Sequence, residues 1–233
     1  MELDPAALDN SQRYKLLTGT IVPRPIAFVS TLSPSGVNNL APFSFFNGVS
    51  STPMAVVFCP NTRSDGTDKD TLRNLLPASE GGLGEFVLNV AAERYGRQMA
   101  ATAANVAADV DEFALAGFTP AASRVVRPPR VLESPVSFEC RTTHVIQLGG
   151  GKPGTGNVVI GEVVHIWVEE GLLNERFHVN LDQLSALGRL SGNLYTTTAQ
   201  QVHIPRGLDA LREAPALPGD VGTGRVIGRQ PDD

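Results

Sequence analysis

The chain has 233 residues, 42% of them apolar and 18% charged, with 19 basic and 24 acidic side chains giving a formal charge of −5. That apolar share excludes a disordered acidic chain, and the length allows a full core without disulfide staples. No basic stripe stands out, which argues against a nucleic-acid partner, and the acidic start Met1-Glu2-Leu3-Asp4-Pro5 does not read as a secretory signal.

Taken in chain order, residues 1–13 read as an N-terminal extension, within which a short helix begins. Ser11 to Leu17 has helical composition, with Asn10 or Ser11 as N-cap and Gly19 after its end. Ile26 to Leu32 is β-rich. Ser33-Pro34-Ser35-Gly36 has Pro second and Gly fourth, as a type I turn prefers. Val37 to Phe46 and Met54 to Cys59 continue the strand signal, and Lys69 to Leu76 reads as a helix opened by Asp68 or Asp70 and stopped by Pro77. Phe86 to Val90 is a strand, Ala91 to Ala108 an Ala-rich helix, and Asp111 to Gly117 a second helix with a glycine terminator.

Two long strands follow, Val136 to Leu148 and Asn157 to Glu169, joined by a glycine-rich loop. Alternation puts Val136, Phe138, Cys140, Thr142, His144 and Ile146 on one face, inward, with Glu139, Arg141 and Gln147 outward. Cys59 and Cys140 read as small buried hydrophobes of a cytoplasmic protein. Many strands with a few inserted helices predict a mainly β fold with helical decoration, a barrel filling 14–200. The Gly- and Pro-rich stretch 201–233 reads as an extended or mobile tail.

Several motifs fail on their physics. Gly149, Gly151 and Gly154 have dinucleotide spacing, but Pro153 and a Val-rich strand follow where a helix would have to hold a pyrophosphate. Asp65, Asp68 and Asp70 lack the bidentate Glu of a calcium loop. The four histidines have no zinc spacing, so no metal is expected.

Two adjacent features remain. From Pro25 to Thr62 there is no Asp, Glu, Lys, Arg or His, yet Pro34, Gly36, Asn38, Asn39, Pro42, Gly48 and Pro53 rule out a membrane-spanning helix. Within it, Asn39 to Asn47 interleaves apolar surface with amide and hydroxyl groups, a lining suited to a flat neutral heteroaromatic ring. Composition is equally compatible with a buried strand pair and a polar turn. Next comes Arg63 to Thr71, where Arg63, Lys69, the Thr71 hydroxyl and a helix N-terminus together suit a phosphate monoester. A solvated, charge-balanced loop is the other reading. A ring pocket beside a phosphate site suggests a mononucleotide such as FMN.

At this point the sequence resembles a known family. Tyr14 to Leu17, Pro23 to Thr31, Asn39 to Phe46 and Lys69 to Asn74 are similar to the flavin reductase-like family, FMN-binding split-barrel proteins of the flavoredoxin type. Glu85 to Asn89, Asp111 to Phe113, Phe138 to Cys140, Gly161 to Val164 and Gly188 to Gly192 extend the likeness, in order, to Tyr195. The resemblance implies a Greek-key split barrel of about six strands, a homodimer, and FMN near the subunit interface. It implies that Ser30, Thr31, Arg63, Lys69 and Thr71 contact the flavin tail and phosphate. Asn39, Leu40, Ala41, Pro42 and Ser44 would line the isoalloxazine edge, with Arg24, Arg189 and Tyr195 nearby. The activity implied is hydride transfer from NADH or NADPH to flavin N5, with no catalytic side chain. Electrons would then pass to free flavin, an iron chelate, a protein partner or another acceptor. A non-catalytic electron carrier or flavin store, and a barrel that has lost its flavin, are the alternatives. Asp65 and Asp68 beside the phosphate site depart from the family pattern.

Overall fold

In the computed structural model, which describes residues 1–213, the first helix, α1 (Asn10–Thr20), opens with a reciprocal cap. The Asp9 carboxylate accepts from Gln12 N–H at 2.8 Å, and the Gln12 side chain accepts from Asp9 N–H at 2.9 Å. The cap is thus Asp9, ahead of both expected positions, and Gly19 lies inside the helix instead of beyond it. The helix runs past Gly19 because Arg24 takes over its terminal carbonyls. The guanidinium donates to Thr18 O and Ile21 O, to Leu190 O and to Ser44 Oγ.

The strands are β1 (Arg24–Pro25), β2 (Ala27–Leu32), β3 (Asn38–Phe43), β4 (Phe46–Ser51), β5 (Met54–Phe58) and β6 (Glu85–Val90). After them come β7 (Pro120–Ala121), β8 (Arg130–Val131), β9 (Val136–Gln147), β10 (Asn157–Val168), β11 (Leu187–Arg189) and β12 (Tyr195–Thr197). Seven of them form one antiparallel sheet in the order β3-β2-β6-β9-β10-β5-β4, while β1-β11-β12 and β7-β8 form small sheets. Strands β3 and β4 are the opposite edges, yet only Ser44 and Phe45 join them. In a flat sheet those edges lie roughly 29 Å apart, whereas Phe43 to Phe46 spans at most about 11 Å. The sheet must therefore curl until its edges meet. They do not pair, so the barrel is split, with one strand more than the six expected.

Inside the curl, Ala27, Val29, Phe43, Phe58, Phe86, Leu88, Cys140 and Val159 pack together, and Leu72 and Leu75 of α2 (Asp70–Leu75) join that core. On the outer face of β2 and β3, Phe28 and Leu40 pack with Tyr95, Met99, Phe113 and Phe118. These come from around α3 (Gly96–Ala101) and α4 (Glu112–Ala116). Asp111 caps α4, and Gly117 ends it at φ +74° as the glycine terminator expected. The long helix expected over 91–108 shrinks to a 3₁₀ turn and α3. Beyond Met99 the alanine run offers no large apolar side chain to hold it on the barrel.

The β9 alternation holds through Cys140 and then reverses. His144 pairs with Ile160 while Thr142 pairs with Gly161, leaving Thr143 as the extra residue of a bulge. Past it Val145 packs on the core, whereas His144 and Ile146, expected inward, are exposed. Glu139 is on the outer face as expected, but buried there beneath the 118–131 excursion that carries β7 and β8. Gly161 itself is required by close approach, because a Cβ there would sit 2.4 Å from the Phe86 ring. Cys140 is buried and Cys59 half-buried, both as free thiols.

A helix α5 (Leu181–Leu184) precedes β11. Met1–Ala199 forms one unit and a second begins at Gln200; within it α6 (Leu208–Glu213) is helical, in the stretch expected as an extended or mobile tail. The expectation for 214–233 lies outside the described residues. Among the described residues no helix is long and apolar enough to cross a membrane.

Candidate functional site

Strand β3 is an edge, and Pro42, which has no N–H to donate, is tolerated there for that reason. Against this edge stand the start of α2 and the segment 102–106, enclosing a narrow cleft. Six of the ten residues expected at the site line it: Asn39, Ala41, Pro42, Arg63, Lys69 and Thr71. The cleft holds about 40 Å³ on this chain, too little to enclose a tricyclic ring. It shares Asn39, Asp70 and Glu112 with a neighbouring cavity of about 400 Å³, which Val37, Arg73 and Asn74 also line.

A hydrogen-bond network sets the cleft wall. Asn39 Oδ1 accepts from the Thr31 hydroxyl at 3.1 Å and from Thr71 at 2.7 Å. Its Nδ2 donates to Glu112 Oε1 at 3.1 Å, and Asn74 Nδ2 donates to Thr31 Oγ1 at 3.0 Å. The other Glu112 oxygen accepts from Leu40 N–H at 3.1 Å. Glu112 is therefore a buried carboxylate that fixes both the backbone and the side chain of the edge strand. Burial pushes its pKa up, against the downward pull of the bonds from Leu40 and Asn39.

The positive side of the cleft is asymmetric. Arg63 donates to Asp68 O at 2.9 Å and pairs with the Asp70 carboxylate, which Arg73 also bonds. Asp70 is thereby held between two arginines. Asp65 turns its carboxylate onto Thr67, whose hydroxyl and N–H hold it below the usual range, so the nearby acids are largely occupied. Lys69 is different. Its ammonium lies half-buried, 5.6 Å from the centre of the Phe43 ring, and donates to no described residue. Burial first, then Arg63, pushes its pKa down, with Asp70 acting the other way. α2 has only six residues and Lys69 caps it without a side-chain bond, so the helix terminus adds little and the anion site rests on side chains. A desolvated cation without an acceptor, beside a second cation, fits a phosphate monoester.

Residues 18–185 match the Flavin reductase like domain family. The chain belongs to this family. Nitrilotriacetate monooxygenase component B from Bacillus cereus is similar at 35% identity and TM-score 0.80, over 88% of this chain and 98% of that one. The 2-nitrobenzoate 2-nitroreductase of Pseudomonas fluorescens is similar at 28% identity and TM-score 0.78, over 93% and 99%. A split-barrel protein from Shewanella frigidimarina, at 17% identity and TM-score 0.72 over 89% and 100%, shares the fold. Family and neighbours together support a flavin-related oxidoreductase role.

In this flavin reductase-like chain the other four expected residues stand off the cleft. Thr31 reaches it only through Asn39. Ser30 faces the other way, donating to Pro129 O and bonding Asn89. Leu40 is core, and only its N–H serves the site. Ser44 sits at the β3–β4 link, accepting from Arg24. Arg24 is a buried tie between elements, and Arg189 stacks on Tyr195 with 4.5 Å from its Cζ to the ring centre; none of the three lines the cleft. Sequence reasoning gave Glu112 no site role. Its only local sign was its place after the helix cap Asp111, which itself accepts from Asn38 at 3.0 Å.

Proposed function

We propose that this chain binds FMN along the β3 edge, with the phosphate at Lys69, and acts as an oxidoreductase. The observation that carries the reading is the unpaired, desolvated Lys69 ammonium in a cleft walled by neutral β3 groups. When bound, FMN would supply hydride acceptance at its N5 atom from NADH or NADPH, with free flavin, an iron chelate or another acceptor taking the electrons. The chain's own task is then binding and orientation. Lys69 and Arg63 hold the anionic end, Thr71 and Asn39 present polar atoms along the tail, and Ala41 and Pro42 give a neutral wall. Glu112 keeps that wall in register by holding Leu40 N–H and Asn39.

A homodimer completes this reading. The cleft on one chain is too narrow to enclose the ring, and Tyr14, Leu17, Ile21, Val49 and Met54 leave apolar side chains exposed for a second copy to cover. Size-exclusion chromatography with light scattering is expected to give twice the chain mass.

The purified chain is expected to absorb near 450 nm, or to gain that band with added FMN, and to lose it anaerobically with NADH or NADPH. A protein that takes up no FMN refutes the flavin site. Flavin that binds but stays oxidised with both nucleotides makes the chain an electron carrier or flavin store instead.

A further inference from the structure

On the opposite face of the sheet from the barrel core, the excursion between α4 and β9 folds back over β9 and β10. There a separate cavity of about 250 Å³ opens, lined by Ser123, Arg124, Arg130, Glu139, His165 and Trp167. None of these residues belongs to the cleft described above.

Arg130 is the unusual group. Its guanidinium lies over the Trp167 ring, 4.1 Å from Cζ to the ring centre. It donates no hydrogen bond and forms no ion pair among the described residues, and its Nη1 is shut off from water without an acceptor. A guanidinium has five donors in a fixed fork, so leaving them unmatched in a half-buried setting is costly unless something else accepts.

The nearby carboxylate does not fill that role. Glu139 Oε1 accepts from Arg124 N–H at 2.8 Å, and Oε2 accepts from Val125 N–H at 2.7 Å and Val126 N–H at 3.2 Å. Three backbone donors occupy it, and it lies beyond ion-pair distance of Arg130. The lining therefore carries Arg124 and Arg130 against one satisfied acid, with His165 opposite Glu139 in the strand register.

The backbone on both sides of Arg130 is anchored. Pro129 O accepts from Ser30 Oγ at 2.5 Å, and Val131 N–H donates to Asn89 Oδ1 at 2.9 Å. An arginine over an aromatic ring, held between two pinned neighbours and with Nε and Nη2 unpaired and not enclosed as Nη1 is, is preorganised for bidentate contact with an oxyanion through that edge.

We propose that this cavity binds the oxyanion headgroup of a small molecule, a carboxylate or a phosphate, through the Arg130 fork on its Trp167 platform. Trp167 is the only tryptophan in the chain, so a change in its emission reports on this cavity. The full chain is titrated with sodium acetate and, separately, with inorganic phosphate, at ionic strength held constant with sodium chloride. The expected result is a saturable change in Trp167 emission with at least one of the two, which also tells carboxylate from phosphate. Arg130→Gln is expected to weaken that binding about tenfold or more, the loss of one charge-assisted contact. Should Arg130→Gln fail to fold, Arg124→Gln on the exposed rim is expected to weaken binding by a smaller factor. A response to both anions no different from chloride overturns the proposal, as does saturation unchanged in either folded variant. A response kept in Lys69→Ala and lost in Arg130→Gln belongs to this cavity and not to the β3 cleft, whether or not FMN binds there.

Discussion

Ser30 and Thr31 are neighbours on β2, both hydroxyls and both wholly buried, and they serve opposite ends of the protein's chemistry. Ser30 joins a network centred on Asn89. Asn89 Nδ2 donates to Phe28 O at 3.0 Å and to Ser30 Oγ at 3.4 Å, while its Oδ1 accepts from Val131 N–H at 2.9 Å and Ser137 Oγ at 2.8 Å. Every partner is backbone or hydroxyl, and the network closes on itself. Thr31 joins a network centred on Asn39, which ends at Glu112 and borders the Lys69 cleft. The same residue types thus make a structural rivet on one face of the strand and a site wall on the other. What separates them is whether the far end meets backbone or a titratable group.

The largest effect that separates the two belongs to the closed network. Asn89→Leu leaves Val131 N–H and Phe28 O without their partners in the core and is expected to cost about 3 kcal/mol or more of folding free energy, read by urea unfolding. FMN affinity of the folded variant is expected to stay within about twofold of the parent, because the network does not touch the cleft. A tenfold loss of FMN affinity in folded Asn89→Leu would erase the distinction between the faces.

The converse change belongs to Lys69. Lys69→Ala is expected to weaken FMN binding by about 1–3 kcal/mol in flavin-fluorescence titrations, with unfolding free energy moved by less than about 0.5 kcal/mol. The ammonium is the binding form and its pKa is pushed down from 10.5 by burial. FMN affinity in the parent should therefore fall as pH rises through that depressed value, earlier than an ordinary lysine would allow. Lys69→Arg should move the fall to higher pH. Equal affinity in the parent and Lys69→Ala would take Lys69 out of the site.

What the sequence disclosed follows the range of the interactions involved. The turn at Ser33–Gly36, closed by a 2.9 Å bond from Gly36 N–H to Ser33 O, and the Gly117 helix stop rest on neighbours within four residues, so local pattern suffices. The long hairpin is legible from alternation up to Cys140. Beyond it the Thr143 bulge reverses the faces, and a bulge changes no residue type that a pattern could register. The surroundings of Ser30 and Glu139 were not legible for one common reason. Their partners, Pro129 and residues 124–126, come from an excursion folded over the sheet from far along the chain. Arg63, Lys69 and Thr71 were legible as a charged group next to a neutral strand. That Asp70 would occupy Arg63 and leave Lys69 free depends on side-chain geometry that spacing does not carry.

The smallest expected effect tests the open end of the Asn39 network. Glu112 has its folded pKa raised above the ordinary 4.5, chiefly by burial. The folded chain therefore binds this proton at higher pH than the unfolded chain. The charged form weighs against folding above the folded pKa, and that penalty is relieved as pH falls toward the unfolded value. Glu112→Gln has no proton to bind, and its single carbonyl oxygen cannot replace both carboxylate oxygens, so Leu40 N–H or Asn39 Nδ2 loses its acceptor. The expected cost is about 1 kcal/mol, partly offset at neutral pH by removal of the buried charge. In urea unfolding at several values between pH 7 and 4.5, the parent should gain stability relative to Glu112→Gln as pH falls. A constant difference across that window would mean that the carboxyl titrates alike in both states, and the Asn39 network would then be as closed to solvent chemistry as the Asn89 network behind it.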